Sequence, residues 1–286
     1  MTAHVEVLDL VAQMKAAERA FVLATVVRTV SVTAAKAGAK AIIAADGTIV
    51  AGWIGGGCAR GAVLKAAREA LEDGEPRMVS VQPENLLAEL GVKPGESREG
   101  IRFASNMCPS KGTMDIFVEP VLPHPSLVIL GASPVALSLA GQARTLGYHV
   151  TLAAPSADLT ASPDADTIID GYGLGELNEA KRFVVVSTQS KGDEAALRAA
   201  VATEAAYHAF VGSRRKMAAL RAKLIAEGVE ATAIDRIKAP AGLDLGAITP
   251  EEIAMSILAE ITQVRRRGQR AAKLVRASRN EDKSCR

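Results

Sequence analysis

The chain has 286 residues, of which 49% are hydrophobic and 23% charged, so it can bury the core of one large domain or two ordinary ones. Only 3% of the residues are aromatic, which argues against a protein that stacks nucleic-acid bases. The net charge of +2 hides a basic end, because residues 265–286 hold nine Lys or Arg against two acids. We expect residues 269–286 to form a basic, disordered tail without a catalytic role.

Targeting and metal-binding signals are absent from the sequence. The amino-terminal residues lack a charged segment followed by an apolar one, and no apolar run approaches about 18 residues, so we expect a cytoplasmic protein without membrane insertion. The three cysteines, Cys58, Cys108 and Cys285, lack CxxC spacing, and reduced thiols are therefore expected. The four histidines are scattered, which predicts no metal site made of protein ligands alone.

Residues 1–122 are predicted to form an N-terminal α/β domain. The pattern predicts a helix over 5–20, a strand over 21–30, a β-hairpin over 41–50 that turns at Asp46-Gly47, a helix over 62–71 and a strand over 113–119. The three prolines between 120 and 125 cannot pair in a central strand, so we place the domain boundary there.

Residues 123–268 are predicted to form a Rossmann-like, doubly wound parallel sheet. The alternation of strand, glycine turn and helix that begins at Leu127 is typical of a βαβ unit. Strands are predicted over 127–130, 148–153, 183–187 and 208–211, with helices up to 147, over 193–204, over 214–226 and from Thr249 onward.

The glycine run Gly55-Gly56-Gly57 before Cys58 is the strongest local signal in the N-terminal half. Three consecutive glycines lose much backbone entropy on folding, so their presence predicts an unusual φ or the close approach of a ligand. A thiol at a helix N-terminus favours the thiolate, suited to metal ligation, persulfide chemistry or redox reaction. The alternative is that Cys58 is a small buried apolar residue. Cys108 lies in a turn-rich loop that faces the Cys58 loop if both close one end of the sheet.

The turn Gly131-x-Ser133-x-x-Ala136 is a degenerate dinucleotide fingerprint. Its middle glycine is missing, and the acid expected at the end of the second strand is replaced by Ala153-Ala154-Pro155. NAD(P) binding is therefore disfavoured, although a phosphate at this helix N-terminus fits the pattern as well as a purely structural turn does.

A second anion-binding candidate is the segment Gly212-Ser213-Arg214-Arg215-Lys216. It follows a predicted strand and opens a helix, so backbone amides, a hydroxyl and guanidinium groups can converge on one phosphate. A capped helix with a solvated basic first turn is the alternative. Cations at this end oppose the helix dipole, and that frustration favours a functional role.

Taken together, several motifs make the chain similar to the XdhC/CoxI family over about residues 20–265. The motifs are at 38–40, 46–47, 55–58, 112–120, 131–136, 212–216 and 250–254. Three departures indicate the CoxF branch: the absence of proline and arginine in 31–36, the presence of Arg60 two residues after Cys58, and the altered loop 106–111 before Gly112. The resemblance implies an N-terminal XdhC-type domain and a C-terminal Rossmann-like domain.

The same resemblance implies an accessory chaperone of xanthine dehydrogenase or carbon monoxide dehydrogenase type enzymes. Such a protein binds molybdenum cofactor, as molybdopterin or its dinucleotide, as cargo and assists its sulfuration and insertion. Its implied partners are the molybdenum hydroxylase apoenzyme, a cysteine desulfurase and a second copy of the chain, with no nucleic acid. Two alternatives stay open, an NAD(P)-dependent oxidoreductase and a scaffold for the apoenzyme that holds no cofactor.

Overall fold

The computed structural model describes residues 6–109, 111–159, 162–175 and 181–266. The predicted tail, 269–286, and Cys285 lie outside these residues. Internal contacts divide the chain into two compact units, with the boundary between Pro123 and His124. Within the described ranges, no helix is both long enough and apolar enough to cross a lipid bilayer.

The first unit is built on a seven-stranded mixed sheet. Its strands are β1 (Phe21–Val30), β2 (Lys40–Ala44), β3 (Ile49–Gly52), β4 (Arg77–Gln82), β5 (Ser97–Arg98), β6 (Ile101–Ser105) and β7 (Thr113–Val121), and its helices are α1 (Val7–Ala16), α2 (Gly57–Asp73) and α3 (Glu84–Glu89). The strands lie in the order β3-β2-β1-β7-β4-β6-β5. The β2–β3 hairpin forms as predicted, with Gly47 at φ +86° in its turn.

One face of this sheet is covered by α2. Small residues of the helix, among them Ala59, Ala66 and Ala70, pack against apolar residues of β1, β2, β4 and β7 in one buried cluster. On the other face, α1 packs through Met14 onto β1 and β2. The long sheet therefore holds α2 over its centre, with the N-terminus of the helix carrying Cys58.

Two local predictions for the first unit were wrong. Strand β7 continues through Pro120, which pairs opposite Val22 of β1. Proline is tolerated there because the pairing of β7 with β4 already ends at Val118, so one side of the strand needs no donor. The helix predicted from Ala62 begins at Gly57, five residues earlier.

The second unit is a six-stranded, fully parallel sheet. Its strands are β8 (Ser126–Leu130), β9 (His149–Ala154), β10 (Thr167–Asp170), β11 (Arg182–Val186), β12 (Tyr207–Phe210) and β13 (Ile237–Lys238). The helices are α4 (Pro134–Thr145), α5 (Asp193–Ala202), α6 (Arg214–Ala226), α7 (Ala231–Ile234) and a last helix over 250–266.

The strand order β10-β9-β8-β11-β12-β13 is that of the dinucleotide-binding fold. Separate buried clusters lie on its two faces, one with α4 and the last helix and the other with α5, α6 and α7. The predicted doubly wound, Rossmann-like sheet is thereby confirmed. The order of the strands reverses between β8 and β11, where ligands bind in such sheets.

Candidate functional site

Cys58 occupies the first turn of α2. Gly56 is the N-cap of this helix, and no side chain caps the exposed amides of its first turn. Gly55 has φ +113°, and a Cβ there would lie 3.0 Å from Met114 Cε, whereas a Cβ at Gly56 or Gly57 would meet nothing within 4 Å. Only Gly55 is therefore required by the fold, and open space lies above the two glycines that lead to the thiol.

Cys108 lies in the loop that joins β6 to β7. Asn106 shapes this loop, because its Nδ2 donates to Gly112 O at 2.6 Å and its Oδ1 accepts from the Cys108 amide at 3.0 Å. Gly112 packs against the backbone of Val32, where an added Cβ would lie 2.2 Å from the carbonyl oxygen. The loop is thus fixed at both ends, while Cys108 itself is exposed.

The two cysteines border one cleft, as expected if both loops close the same end of the sheet. This two-cysteine cleft has a volume of about 60 Å³ and is lined by Val32, Thr33, Ala34, Gly56, Cys58, Ala59, Val81, Asn106, Cys108, Gly112 and Met114. The space holds only a few water molecules. It can admit a sulfur atom or the tip of a larger ligand, and most of such a ligand would remain outside.

The predicted dinucleotide turn is tightly packed. Gly131 has φ +122°, and a Cβ there would lie 2.3 Å from Ser187 O, so this glycine is obligatory. Ser133 is the N-cap of α4: its Oγ accepts from the Ala136 amide at 3.1 Å and lies 2.6 Å from Ser187 Oγ. The hydroxyl therefore occupies the position next to the amides that a pyrophosphate would use.

The strand that would carry a ribose-binding acid ends in Ala154, which is fully buried. An acid lies in register with it on the neighbouring strand, since Asp170 pairs opposite Ala154. Asp170 accepts a hydrogen bond from the Ser156 amide at 2.7 Å, and hydrogen bonds from the Ser156 side chain and from this amide lower the pKa of the carboxyl. The sequence analysis missed this acid because it belongs to the following strand.

The segment 212–216 opens α6 beside a second and larger cavity. This α6 cavity has a volume of about 680 Å³, within the range of small-molecule sites, and is bordered by Gly212, Ser213 and Arg214 and by the segment 238–247. Ser213 caps α6 by accepting from the Lys216 amide at 3.2 Å. Arg214 is exposed and forms no ion pair with the described residues.

The basic residues of this segment do not all converge on the cavity. Lys216 Nζ binds Asp193 Oδ2 at 2.7 Å and Ser190 Oγ at 3.0 Å, and it lies over the Phe210 ring. Lys216 therefore joins α6 to the loop before α5, and Arg215 does not border the cavity. Of the three cations, Arg214 is the one that lines the cavity.

A buried carboxylate supports the far wall of the α6 cavity. Glu260, on the last helix, accepts from Tyr207 Oη at 2.5 Å and from the Gly242 amide at 3.0 Å, and it pairs with Lys238 Nζ. Burial and the bond to Glu260 raise the pKa of Tyr207. These residues, which the sequence analysis missed, hold the segment 238–243 in place.

Among the described residues, no cluster of three His, Cys, Asp or Glu side chains could hold a metal ion. The two thiols of the cleft are soft donors, of the kind that suit soft metal ions.

Comparison with known proteins gives matches in both units. Residues 14–82 match the model of the XdhC and CoxI family, and residues 127–261 match that of the XdhC Rossmann domain. Over 235 residues, 79% of this chain, the sequence is 31% identical to the uncharacterized protein YqeB of Escherichia coli (strain K12) and covers 40% of it.

A second relative is a probable xanthine dehydrogenase subunit of Bacillus subtilis (strain 168), 31% identical over 163 residues, which are 54% of this chain and 47% of that protein. The chain thus spans less than half the length of these two relatives. A solved structure described as a xanthine dehydrogenase from Bacillus halodurans is 20% identical, with 90% of this chain and 95% of that chain covered and a TM-score of 0.44.

Proposed function

Because this chain belongs to the XdhC and CoxI family, we propose that it is an accessory protein that binds molybdenum cofactor and assists its sulfuration and insertion into a molybdenum hydroxylase. The cofactor is cargo, and the protein need not turn over a substrate. The similarity to a probable xanthine dehydrogenase subunit supports a client of the xanthine dehydrogenase type, and a carbon monoxide dehydrogenase is the second option.

One observation carries this proposal, the two cysteines that border one cleft at the uncapped N-terminus of α2. Thiolates are the ligands that soft metals and sulfur-transfer chemistry require. The free amides of the helix favour negative charge, which a thiolate or a metal-bound sulfur supplies. We therefore propose that Cys58 and Cys108 contact the molybdenum and sulfur end of the cargo, or carry sulfur to it.

In the Rossmann unit, the α6 cavity is the proposed phosphate site. Gly212, Ser213 and Arg214 offer amides, a hydroxyl and a guanidinium on one wall of a cavity of ligand size. The turn 131–136 is the weaker candidate, because its six residues include no cation, whereas Arg214 lines the α6 cavity; Ser133 and Ser213 each cap a helix and do not distinguish the two sites. We therefore propose that the phosphate binds at Arg214 and not at Ser133.

The proposed partners follow from this role. A cofactor carrier must dock to the molybdenum hydroxylase apoenzyme, and a sulfur donor such as a cysteine desulfurase must reach the cleft. Cys108 and the neighbouring Met107 and Val32 are exposed around the cleft, so a protein partner has apolar surface to contact there. A second copy of the chain is the third proposed partner.

The test is a pterin assay on protein purified from molybdenum-replete cells. The protein is denatured, released pterin is oxidised and its fluorescence is compared between the wild type and the variants Cys58→Ala, Cys108→Ala and Arg214→Ala. Matched controls are Cys285→Ala and Arg215→Ala. We expect stoichiometric pterin in the wild type and both controls, and at least a tenfold loss in Cys58→Ala and Arg214→Ala.

Absence of pterin from the wild type, even after the cofactor is supplied in vitro, would contradict the carrier role and favour the scaffold. A loss in Arg215→Ala equal to that in Arg214→Ala would contradict the α6 cavity as the phosphate site.

The NAD(P)-dependent oxidoreductase is a second candidate because the strand order is that of the dinucleotide-binding fold. Its geometry is less favourable, since Ser133 occupies the turn and Ala154 stands where the ribose acid is expected. Stabilisation by NADH or NADPH in a thermal-shift assay that disappears in Asp170→Asn, together with turnover, would establish this alternative.

A further inference from the structure

Cys58 and Cys108 can react with each other as well as contact the cargo. Both border the same space of about 60 Å³, and both are free thiols in the described structure. Fifty positions separate them in the sequence, so their approach is a product of the fold. Two thiols on the walls of one narrow cleft can form an intramolecular disulfide once their Cα atoms lie within about 7 Å of each other.

The two thiols differ in mobility and access. Cys58 is half-buried, belongs to the first turn of the 17-residue helix α2 and packs against its core cluster. Cys108 is exposed, and the hydrogen bonds of its backbone stay inside its own loop, to Asn106 Oδ1 and from the Lys111 amide. Cys108 itself takes part in no strand pairing, whereas Lys111 forms a β-bridge with Val32, so the part of the loop around Cys108 is the part that can approach the fixed cysteine.

We propose that Cys58 and Cys108 form a reversible disulfide that closes the cleft, so that the protein accepts cargo only when it is reduced. The effect on cargo rests on the proposed function, whereas formation of the disulfide does not. The walls of the cleft move together by the width of the few water molecules that it holds. An S–S bond then occupies the space at the α2 N-terminus.

The oxidant is a low-molecular-weight disulfide such as oxidised glutathione. The exposed Cys108 thiolate attacks one sulfur of glutathione disulfide, its S–S bond breaks and one glutathione thiolate leaves. The Cys58 thiolate then attacks Cys108 Sγ in the mixed disulfide and displaces the second glutathione. The two cysteines lose two electrons and two protons, and one glutathione disulfide becomes two glutathione thiols.

The first measurement is a peptide map of the full chain carrying Cys285→Ser, after equilibration with reduced and oxidised glutathione in varied ratio. Trypsin releases Cys58 in the peptide 41–60 and Cys108 in the peptide 103–111, since each ends at the next basic residue. We expect the two peptides to appear as one cross-linked species that has lost two hydrogens and that dithiothreitol separates. In Cys58→Ser, Cys108 is expected to stay as the glutathione mixed disulfide.

Two results would overturn the disulfide. One is that both peptides carry glutathione separately at every ratio, and the other is that the cross-link joins two chains. Closure is measured without cargo by hydrogen exchange at the amides of 57–59, which the oxidised form is expected to slow at least tenfold. Unchanged exchange in the cross-linked protein would show that the bond does not close the cleft.

The effect on cargo is measured by pterin loading of the oxidised and reduced forms. We expect at least a tenfold drop on oxidation and full recovery with dithiothreitol, while Cys108→Ser loads equally in both conditions relative to its own reduced level. If the cross-link forms and pterin loading does not change, the proposal that the disulfide closes the cleft to cargo is contradicted, whereas the proposed role as a cofactor carrier still holds. If pterin is never bound in either state, the carrier role fails and the peptide map and hydrogen exchange alone decide the disulfide.

Discussion

Replacing Glu260 tests whether its carboxylate holds the far wall of the α6 cavity. The residue is only 7% exposed, and its carboxylate accepts from two buried donors, Tyr207 Oη and the Gly242 amide, besides pairing with Lys238. In Glu260→Ala, both donors lose their acceptor inside the protein. A buried donor without a partner keeps the full cost of its desolvation, so the variant is expected to be less stable.

The magnitude follows from these contacts. A hydrogen bond to a charged group contributes about 1.5–3 kcal/mol, and losses at one shared acceptor do not add fully. The Lys238 pair adds little, because that side chain is 44% exposed and water can replace its partner. We expect a loss of about 2–4 kcal/mol, which lowers the Tm of a unit of this size by about 4–16 °C. Glu260→Gln keeps one acceptor and is expected to lose about half as much.

Differential scanning calorimetry of the full chain measures this change. The unfolding transition of the Rossmann unit is the one whose Tm changes between the wild type and Glu260→Ala. The matched control is Glu204→Ala, which removes an exposed carboxylate from the same unit, with an expected change within about 0.5 kcal/mol. A Tm shift below about 2 °C for Glu260→Ala, or an equal shift in the control, would refute the assignment of this carboxylate as the support of the 238–243 segment.

Two further predictions concern the Rossmann unit. Gly131→Ala is expected to lower the free energy of unfolding by about 2–4 kcal/mol, because φ +122° and a Cβ 2.3 Å from Ser187 O are both unfavourable. The control is Gly57→Ala, where a Cβ meets open space, and this variant is expected to be neutral or stabilising. Urea titrations measure both changes. Burial lowers the pKa of His208, so the unfolded state takes up the proton first and stability is expected to fall as the pH drops below about 6.5. Urea midpoints between about pH 7.5 and 5 are expected to fall less steeply in His208→Gln than in the wild type or in His149→Gln, and equal slopes would contradict the role of His208.

Local features of the chain were predictable from the sequence. The β2–β3 hairpin, the β8–α4–β9 unit and the placement of Cys58 at a helix N-terminus all follow from residues close together in sequence, whose spacing and turn chemistry fix local geometry. The doubly wound, Rossmann-like class followed from the repetition of such units, because parallel neighbours need a crossover helix. The strand order and the short strands β10 and β13 came from the structure alone. The same signals placed Ser133 and Gly212 after strands.

Only the tertiary structure decided which distant groups meet. Cys58 and Cys108 border one cleft because β4 and β6 end, and β7 begins, near the α2 N-terminus. No pattern within one segment predicts that β4 and β6 pair in parallel. Lys216 forms an ion pair with Asp193 of α5, and Arg214 is the basic residue of the segment 212–216 that lines the α6 cavity. Such contacts depend on chain segments tens of residues apart, and their partners are set by packing of the whole sheet, which propensity and spacing within one segment do not encode.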